Sequence, residues 1–123
     1  HAGIYIPPDS SSETTVVATR CEFANSRYGA TVNGSLTSAT FNNCSFNENR
    51  FHGILGDNYA TIHLHGESTA IHSNAHNGIH AIDSAQVNIH LPSHHNTSYN
   101  NGGEDRKAGS GSTITTRITN VED

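Results

Sequence analysis

Residues 39–55, ATFNNCSFNENRFHGIL, contain the pattern that predicts the fold of this chain. The segment opens with apolar and polar residues in alternation, continues through a second short run around Phe46, and ends with Gly53 followed by two apolar residues. Alternation with a period of two is typical of a strand with one buried face, and Asn and Gly between such runs indicate tight bends. We therefore expect short strands separated by turns.

The same pattern returns along the chain with a period of about 25 residues. In the preceding copy, Cys21 and Phe23 stand where this segment has Cys44 and Phe46. Glycines mark successive copies at Gly3, Gly29, Gly53, Gly78 and Gly103. Self-similarity of this length indicates one structural unit stacked on copies of itself.

The composition favours strands over helices. The 123 residues include no Met or Trp, and charged residues make up 14%. Leucine-rich and helical repeats fit poorly, because Leu is scarce and no stretch has an apolar period of 3.6 residues. We predict an all-β fold: a right-handed, single-stranded parallel β-helix of four to five turns, each of about 21–27 residues with three short strands. Residues 1–123 form one domain in this prediction, either whole or as a fragment of a longer repeat array.

The pattern of residues 39–55 is apolar-x-apolar-x-Asn-Cys-x-Phe-x-x-Asn, followed by x-Gly-Ile. It resembles the repeats of the pectate-lyase-like superfamily of right-handed parallel β-helices, and the resemblance covers residues 16–103. That superfamily includes polysaccharide lyases, sugar hydrolases and non-catalytic carbohydrate-binding or surface proteins. The resemblance therefore implies the fold, leaves the activity open and transfers no catalytic residue.

The charge distribution argues against two classes of partner. The formal net charge is −5, and the six Lys and Arg residues are scattered. Nucleic-acid binding needs a concentrated basic surface, so nucleic acid is not an expected partner. No apolar run approaches the roughly 18 residues needed to span a bilayer, so a membrane is not expected either.

Histidine is the most over-represented chemical group, with ten residues, most of them between His52 and His95. His63 and His65 alternate with apolar residues and should face outward on one strand, with Asn88 and His90 beside them on the next turn. Neutral imidazoles suit zinc, copper or nickel, so His63, His65 and His90 form a candidate metal site. The competing interpretation is a polar ladder in which these side chains only form hydrogen bonds with one another and with water.

So many imidazoles also predict a response to acidity. Protonation below about pH 6.5 would carry the net charge from −5 toward positive values. The alternative is that exposed histidines titrate independently, with no structural change.

Cys21 and Cys44 occupy equivalent positions in successive copies. Stacking should bring their Cα atoms about 5 Å apart, within the range of a disulfide. Two thiols that fill space as small apolar residues are equally compatible with this spacing, so the bonding of the pair stays open.

A carbohydrate-active enzyme would need carboxylates that converge on one face. Asp9, Asp57 and Asp83 follow the repeat glycines in predicted turns, where Asp normally bonds to its own backbone. The candidate acid, base or metal-binding groups for such an enzyme are Asp57, Asp83, His65 and His90. No residue is assigned as catalytic.

An outward column of Thr40, Thr61, Gln86 and Thr113 is also predicted. It resembles the flat threonine faces of ice-binding solenoids, but Gln86 interrupts it. Threonine is in any case favoured in exposed strands.

These observations favour a non-catalytic β-helical module of a surface or secreted protein, with an extracellular or cell-surface location and a glycan or another protein as partner. A carbohydrate-active enzyme, or a remnant of one, is the alternative. No amphipathic helix covers either end of the predicted stack. The irregular tails 7–15 and 104–112, further repeats, or end-to-end homo-oligomers would then cover the open turns.

Overall fold

The computed structural model describes residues 2–7, 13–93, 97–109 and 111–118, and these form a parallel β-solenoid of about four turns. The described residues contain fourteen strands and no helix. The strands are β1 (Ala2–Ile6), β2 (Thr14–Thr19), β3 (Glu22–Ala24), β4 (Tyr28–Asn33), β5 (Thr37–Asn42), β6 (Ser45–Asn47), β7 (Ile54–Asp57), β8 (Thr61–Gly66), β9 (Ala70–His72), β10 (Ile79–Ala81), β11 (Gln86–Ser93), β12 (Ser98–Tyr99), β13 (Arg106–Ala108) and β14 (Thr113–Ile118).

Each turn contributes one strand to each of three parallel sheets, as the sequence predicted. Sheet A has the order β1-β4-β7-β10-β13, sheet B the order β14-β11-β8-β5-β2, and sheet C the order β12-β9-β6-β3. A strand therefore pairs with its equivalent in the next turn rather than with its neighbour in sequence. Residues from successive repeats consequently lie side by side.

The core is a set of apolar columns that run from turn to turn inside the three sheets. In sheet B, Ala39 pairs with Ile62 and Ile62 with Val87, and all three side chains are fully buried. Phe41 and Phe46 fill the space between sheets B and C, with ring centroids 4.9 Å apart in an edge-to-face arrangement. Burial of one such side chain contributes about 1.5–3 kcal/mol, so these columns are the main source of stability.

A ladder of asparagine side chains occupies the bend between sheets C and A. Asn49 donates through Nδ2 to Oδ1 of Asn74 over 2.8 Å, and Asn74 donates in the same way to Asn101 over 2.9 Å. Asn49 and Asn74 are both only 2% exposed. The sequence predicted that asparagines mark bends, but it did not reveal that these three satisfy one another inside the solenoid.

The recurring glycines mark places where the backbones of adjacent turns approach closely. A Cβ on Gly29 would lie 2.5 Å from the carbonyl oxygen of Gly53, and one on Gly53 would lie 2.8 Å from that of Gly78. Real Cβ atoms essentially never come this close, which explains the glycine repeat. The assignment of Gly103 to this column was wrong: a Cβ on Gly78 would meet the carbonyl oxygen of Asp105, at 2.7 Å. Extra residues in the last turn displace Gly103 from the register.

Cys21 and Cys44 are both free thiols. They stand in equivalent positions, because Ser45 N–H donates to the carbonyl oxygen of Cys21 over 2.9 Å. Cys44 is buried and burial raises the pKa of its thiol, whereas Cys21 on the first turn is exposed. The two cysteines therefore occupy equivalent positions in adjacent turns without forming a disulfide.

The segment 104–112, expected to be an irregular tail, contributes β13 to sheet A. Asp9 and part of the tail 7–15 lie outside the described residues, although Thr14 already begins β2. Nowhere in the described ranges is there an apolar helix long enough to cross a membrane.

Candidate metal centre

The outer face of sheet B presents three columns of side chains, one residue from each turn. The register defines them as Thr15, Ser38, Thr61, Gln86 and Thr113; then Val17, Thr40, His63, Asn88 and Thr115; then Thr19, Asn42 and His65, with His90 stacked on His65. The predicted threonine column was therefore wrong at one position. Thr40 lies beside His63, and Ser38 occupies the place next to Thr61.

His63, His65 and His90 form a compact group, which we call the triad. His63 Nδ1 lies 2.8 Å from His90 Nε2, at hydrogen-bonding distance. The ring of His65 stacks on that of His90 with centroids 4.2 Å apart and planes 3° from parallel. One potential ligand nitrogen from each residue lies within 4.8 Å of the other two. The structure thus brings together the three histidines that the sequence selected.

Two local features position the triad. His63 and His65 are two residues apart on β8, with the fully buried Leu64 between them, so both rings leave the same face. β11 pairs in register with β8 as far as Ile89, beyond which the register shifts. His90 stands at this irregularity, and its ring contacts both histidines of β8.

The protonation state of His65 suits metal binding. All three residues are half-buried, and burial lowers the pKa of His65, which favours the neutral imidazole that metals require. In the contact between His63 Nδ1 and His90 Nε2, one nitrogen must donate and the other accept. A metal ion bound to His63 Nδ1 and His90 Nε2 would displace the hydrogen between them. That hydrogen would move to the second nitrogen of the imidazole ring that had carried it.

A tetrahedral ion would fit the triad only if the His65 ring turned out of its parallel stack on His90, because the lone pair of an imidazole nitrogen lies in the ring plane. Zn–N bonds of about 2.0–2.1 Å place two nitrogens about 3.3 Å apart in a tetrahedral site. The triad offers its potential ligand nitrogens within 4.8 Å of one another, with one pair at 2.8 Å. The group contains imidazoles and no carboxylate, which favours zinc, copper or nickel over calcium or magnesium. Three ligands leave a fourth position open to an external group.

The carboxylates proposed for an enzyme form a separate group. Asp57 ends β7 and Asp83 follows β10, both at the bend between sheets A and B. Burial, followed by a hydrogen bond to Asp83 and the charge of that residue, raises the pKa of Asp57. His65 lies four residues beyond the start of β8 at Thr61, about 13 Å along the strand. The Asp pair and the triad therefore lie at opposite ends of sheet B.

A second histidine pair, which the sequence did not reveal, lies beside sheet A. The N–H of Asn77 donates to His52 Nδ1 over 3.2 Å, so the ring proton of neutral His52 is on Nε2. That Nε2 lies 3.2 Å from His80 Nδ1 and donates to it. Burial, followed by the charges of His80 and His76, lowers the pKa of His52 to about 4. The sequence does not predict the contact between His52 and His80, because His52 lies before β7 whereas His80 lies within β10, so the two are not at equivalent positions of the repeat.

Comparison of the chain with protein-family models, curated proteins and solved structures finds no match. The parallel β-solenoid fold is shown by the structure itself, whereas membership of the pectate-lyase-like superfamily stays a prediction.

Proposed function

We propose that this chain is a non-catalytic β-solenoid module that binds a transition metal ion, zinc, copper or nickel, through His63, His65 and His90. The observation that carries the proposal is the convergence of three imidazoles from two adjacent turns, with potential ligand atoms within 4.8 Å of one another. We infer that the module belongs to a surface or secreted protein and that its partner is a glycan or another protein.

A purely polar ladder explains the triad less well than a metal site does. Elsewhere on this face the columns consist mainly of Thr, Ser and Asn, which satisfy one another through hydrogen bonds such as Ser38 Oγ to Thr15 Oγ1 at 3.5 Å. On the described part of this face, three imidazoles are grouped only beside β8 and β11. Burial lowers the pKa of His65, which favours the neutral ring that a metal ion binds.

Binding, rather than catalysis, is favoured by the position of the carboxylates. A glycosidase needs two carboxyl groups about 5–9.5 Å apart on either side of a bond, with access to the substrate. Asp57 and Asp83 instead approach each other at the bend between sheets A and B, where burial and the neighbouring Asp83 raise the pKa of Asp57. Aspartate is common at such bends for structural reasons.

Calorimetric titration with Zn²⁺ at pH 7.5 tests the metal site. We expect binding by the wild type and a loss of at least about 100-fold in affinity for the double variant His65→Ala/His90→Ala, because changes outside the ligand set alone cost about 10–100-fold. His72→Ala is the matched control, since His72 stacks on Tyr99 in sheet C, away from the triad. Equal affinity in the double variant and the control would contradict the assignment.

A separate assay tests the absence of catalysis. Incubation with pectin, alginate and related polymers is expected to release no new reducing or unsaturated ends, with or without Zn²⁺. Release of either product, abolished by Asp57→Asn, would establish the carbohydrate-active enzyme instead.

A further inference from the structure

The outer face of sheet B differs in charge from the rest of the molecule. The chain carries six basic and eleven acidic residues, yet none of the described outward side chains of β2, β5, β8, β11 and β14 is charged. Arg117 is the one charged residue in register with this face, at the end of the last strand. Depletion of charge is typical of the centre of protein interfaces, and this face shares that feature.

The side chains of this face leave room for a second surface. Sheet B has five parallel strands, in register except for the shift beyond Ile89 of β11, and the outward residues of β2 and β5 are mostly short. Val17 adds an apolar side chain that is 62% exposed. Over its described side chains this face is uncharged and partly apolar, which makes it compatible with a copy of itself, as a two-fold contact requires.

The size of the face indicates that this contact needs additional stabilisation. Five strands at about 4.8 Å and six residues at about 3.3 Å give an area of about 480 Å². A stable interface buries about 800 Å² on each partner. Packing of the two faces alone therefore falls short of a stable dimer.

The triad supplies the missing stabilisation. It lies on this face, and its closest pair of ring nitrogens, His63 Nδ1 and His90 Nε2, supplies two of the four ligands of a tetrahedral ion. When two copies pack face to face about a two-fold axis, a single ion on that axis takes two imidazoles from each triad.

We propose that two copies of this chain dimerise through the outer faces of sheet B, with one transition metal ion shared between imidazoles of both triads. This proposal rests on the metal-binding function proposed above. It is distinct from the end-to-end association that the open repeat pattern suggested, because the contact uses a sheet face and leaves the strand edges free.

Sedimentation velocity and zinc titration on the full chain test the proposal together. We expect a monomer in EDTA, a particle of twice the monomer mass with Zn²⁺, and one bound zinc for every two chains. Thr61→Lys places a charge on the face two residues from His63 and is expected to give a zinc-bound monomer with one ion per chain. Tyr5→Lys is the matched control, because Tyr5 is 58% exposed on sheet A, and it should dimerise like the wild type.

The outcomes separate the two proposals. A monomeric wild type that binds one zinc per chain would overturn the dimer and leave the metal site intact. Absence of zinc binding would overturn the metal-binding function, and with it the shared ion. A dimer that persists in EDTA, one that contains one zinc per chain, or one that tolerates Thr61→Lys would overturn the shared coordination at this face.

Discussion

At the scale of single residues, the close approach of adjacent turns depends on glycines, because the space between the turns has no room for a larger side chain. Gly53 is surrounded by Ile71 of sheet C, Asn74 of the bend that follows it and Gly78, all in the next turn. A methyl group at this position would lie 2.5 Å from Ile71 Cγ2 and 2.7 Å from Asn74 Nδ2. The glycine is therefore required by packing between turns.

The substitution Gly53→Ala is expected to lower the free energy of unfolding by about 1–3 kcal/mol, the usual cost of overpacking a core. Urea denaturation followed by circular dichroism measures the change. Gly109→Ala is the control, because nothing lies within 4 Å of a Cβ there, and it should change stability by no more than about 0.5 kcal/mol. Equal effects of the two substitutions would contradict the close-packing explanation.

His52 gives the solenoid a specific sensitivity to acid. Because burial and the neighbouring histidines lower its pKa from 6.5 to about 4, the folded state favours the neutral ring. Its contribution to stability is therefore complete above about pH 6.5 and is lost as the pH falls toward 4. A protonated Nδ1 would also face the N–H of Asn77, which now donates to it.

The prediction is that wild-type stability falls between pH 6.5 and 4 more steeply than that of His52→Gln. Glutamine can still accept the bond from Asn77 but does not titrate. The other groups facing this site, His76 and His80 with Lys107 and Glu104 near His80, are common to both proteins and cancel in the comparison. Parallel stability profiles for the two proteins would show that His52 has no such role.

At the scale of elements, the bend between sheets C and A depends on the asparagine ladder. Asn74 Oδ1 accepts hydrogen bonds from the backbone and the side chain of Asn49, and Asn74 Nδ2 donates to the carbonyl oxygen of Phe46. These bonds satisfy backbone groups that the bend removes from the sheets. Each buried group left without a partner costs about 1–3 kcal/mol.

Asn74→Ala is expected to destabilise the fold by about 2–4 kcal/mol, since it leaves several buried polar groups unpaired at once. The matched control is Asn42→Ala, which removes only a partly exposed bond of 3.5 Å to Thr19. Thermal and urea unfolding of both variants gives the comparison. A loss in Asn42→Ala as large as that in Asn74→Ala would refute a special role for the internal ladder.

At the scale of the whole molecule, stability comes from contacts between adjacent turns, as in other solenoids. The triad joins two such turns, because His63 and His65 lie on β8 and His90 lies on β11. An ion bound there would link the two turns in addition to their backbone hydrogen bonds. Metal binding and the stability of the stack are therefore coupled.

In the Thr61→Lys variant, which should bind one ion per chain as a monomer, zinc at a free concentration 100-fold above its dissociation constant should raise the free energy of unfolding by about 2.7 kcal/mol. Chemical denaturation with and without zinc measures the difference. The His65→Ala/His90→Ala variant should show no zinc-dependent change. A similar increase in that variant would mean that zinc acts elsewhere.

The sequence predicted the solenoid fold more accurately than it predicted which residues of adjacent turns pair with each other. His63, His65 and His90 could be grouped because alternation within a strand and the repeat between turns are both visible in the residues. Thr40 was misplaced beside Thr61 because two similar Ala-Thr-apolar strings were aligned by residue type, whereas the backbone aligns Ala39 with Ile62. Gly103 was misplaced because extra residues in the last turn shift the pairing.

The order of residues by itself determined the strand alternation, the length of the repeat and the choice of small residues at the bends, because each depends on near neighbours in the chain. Only the tertiary structure decided which side chains of different turns touch: the His52–His80 pair, the Asn49–Asn74–Asn101 ladder and the separation of the Asp57 and Asp83 carboxyl groups from the triad. The physical reason is that loop lengths set the register between turns, and a shift of one residue changes every contact across the sheets.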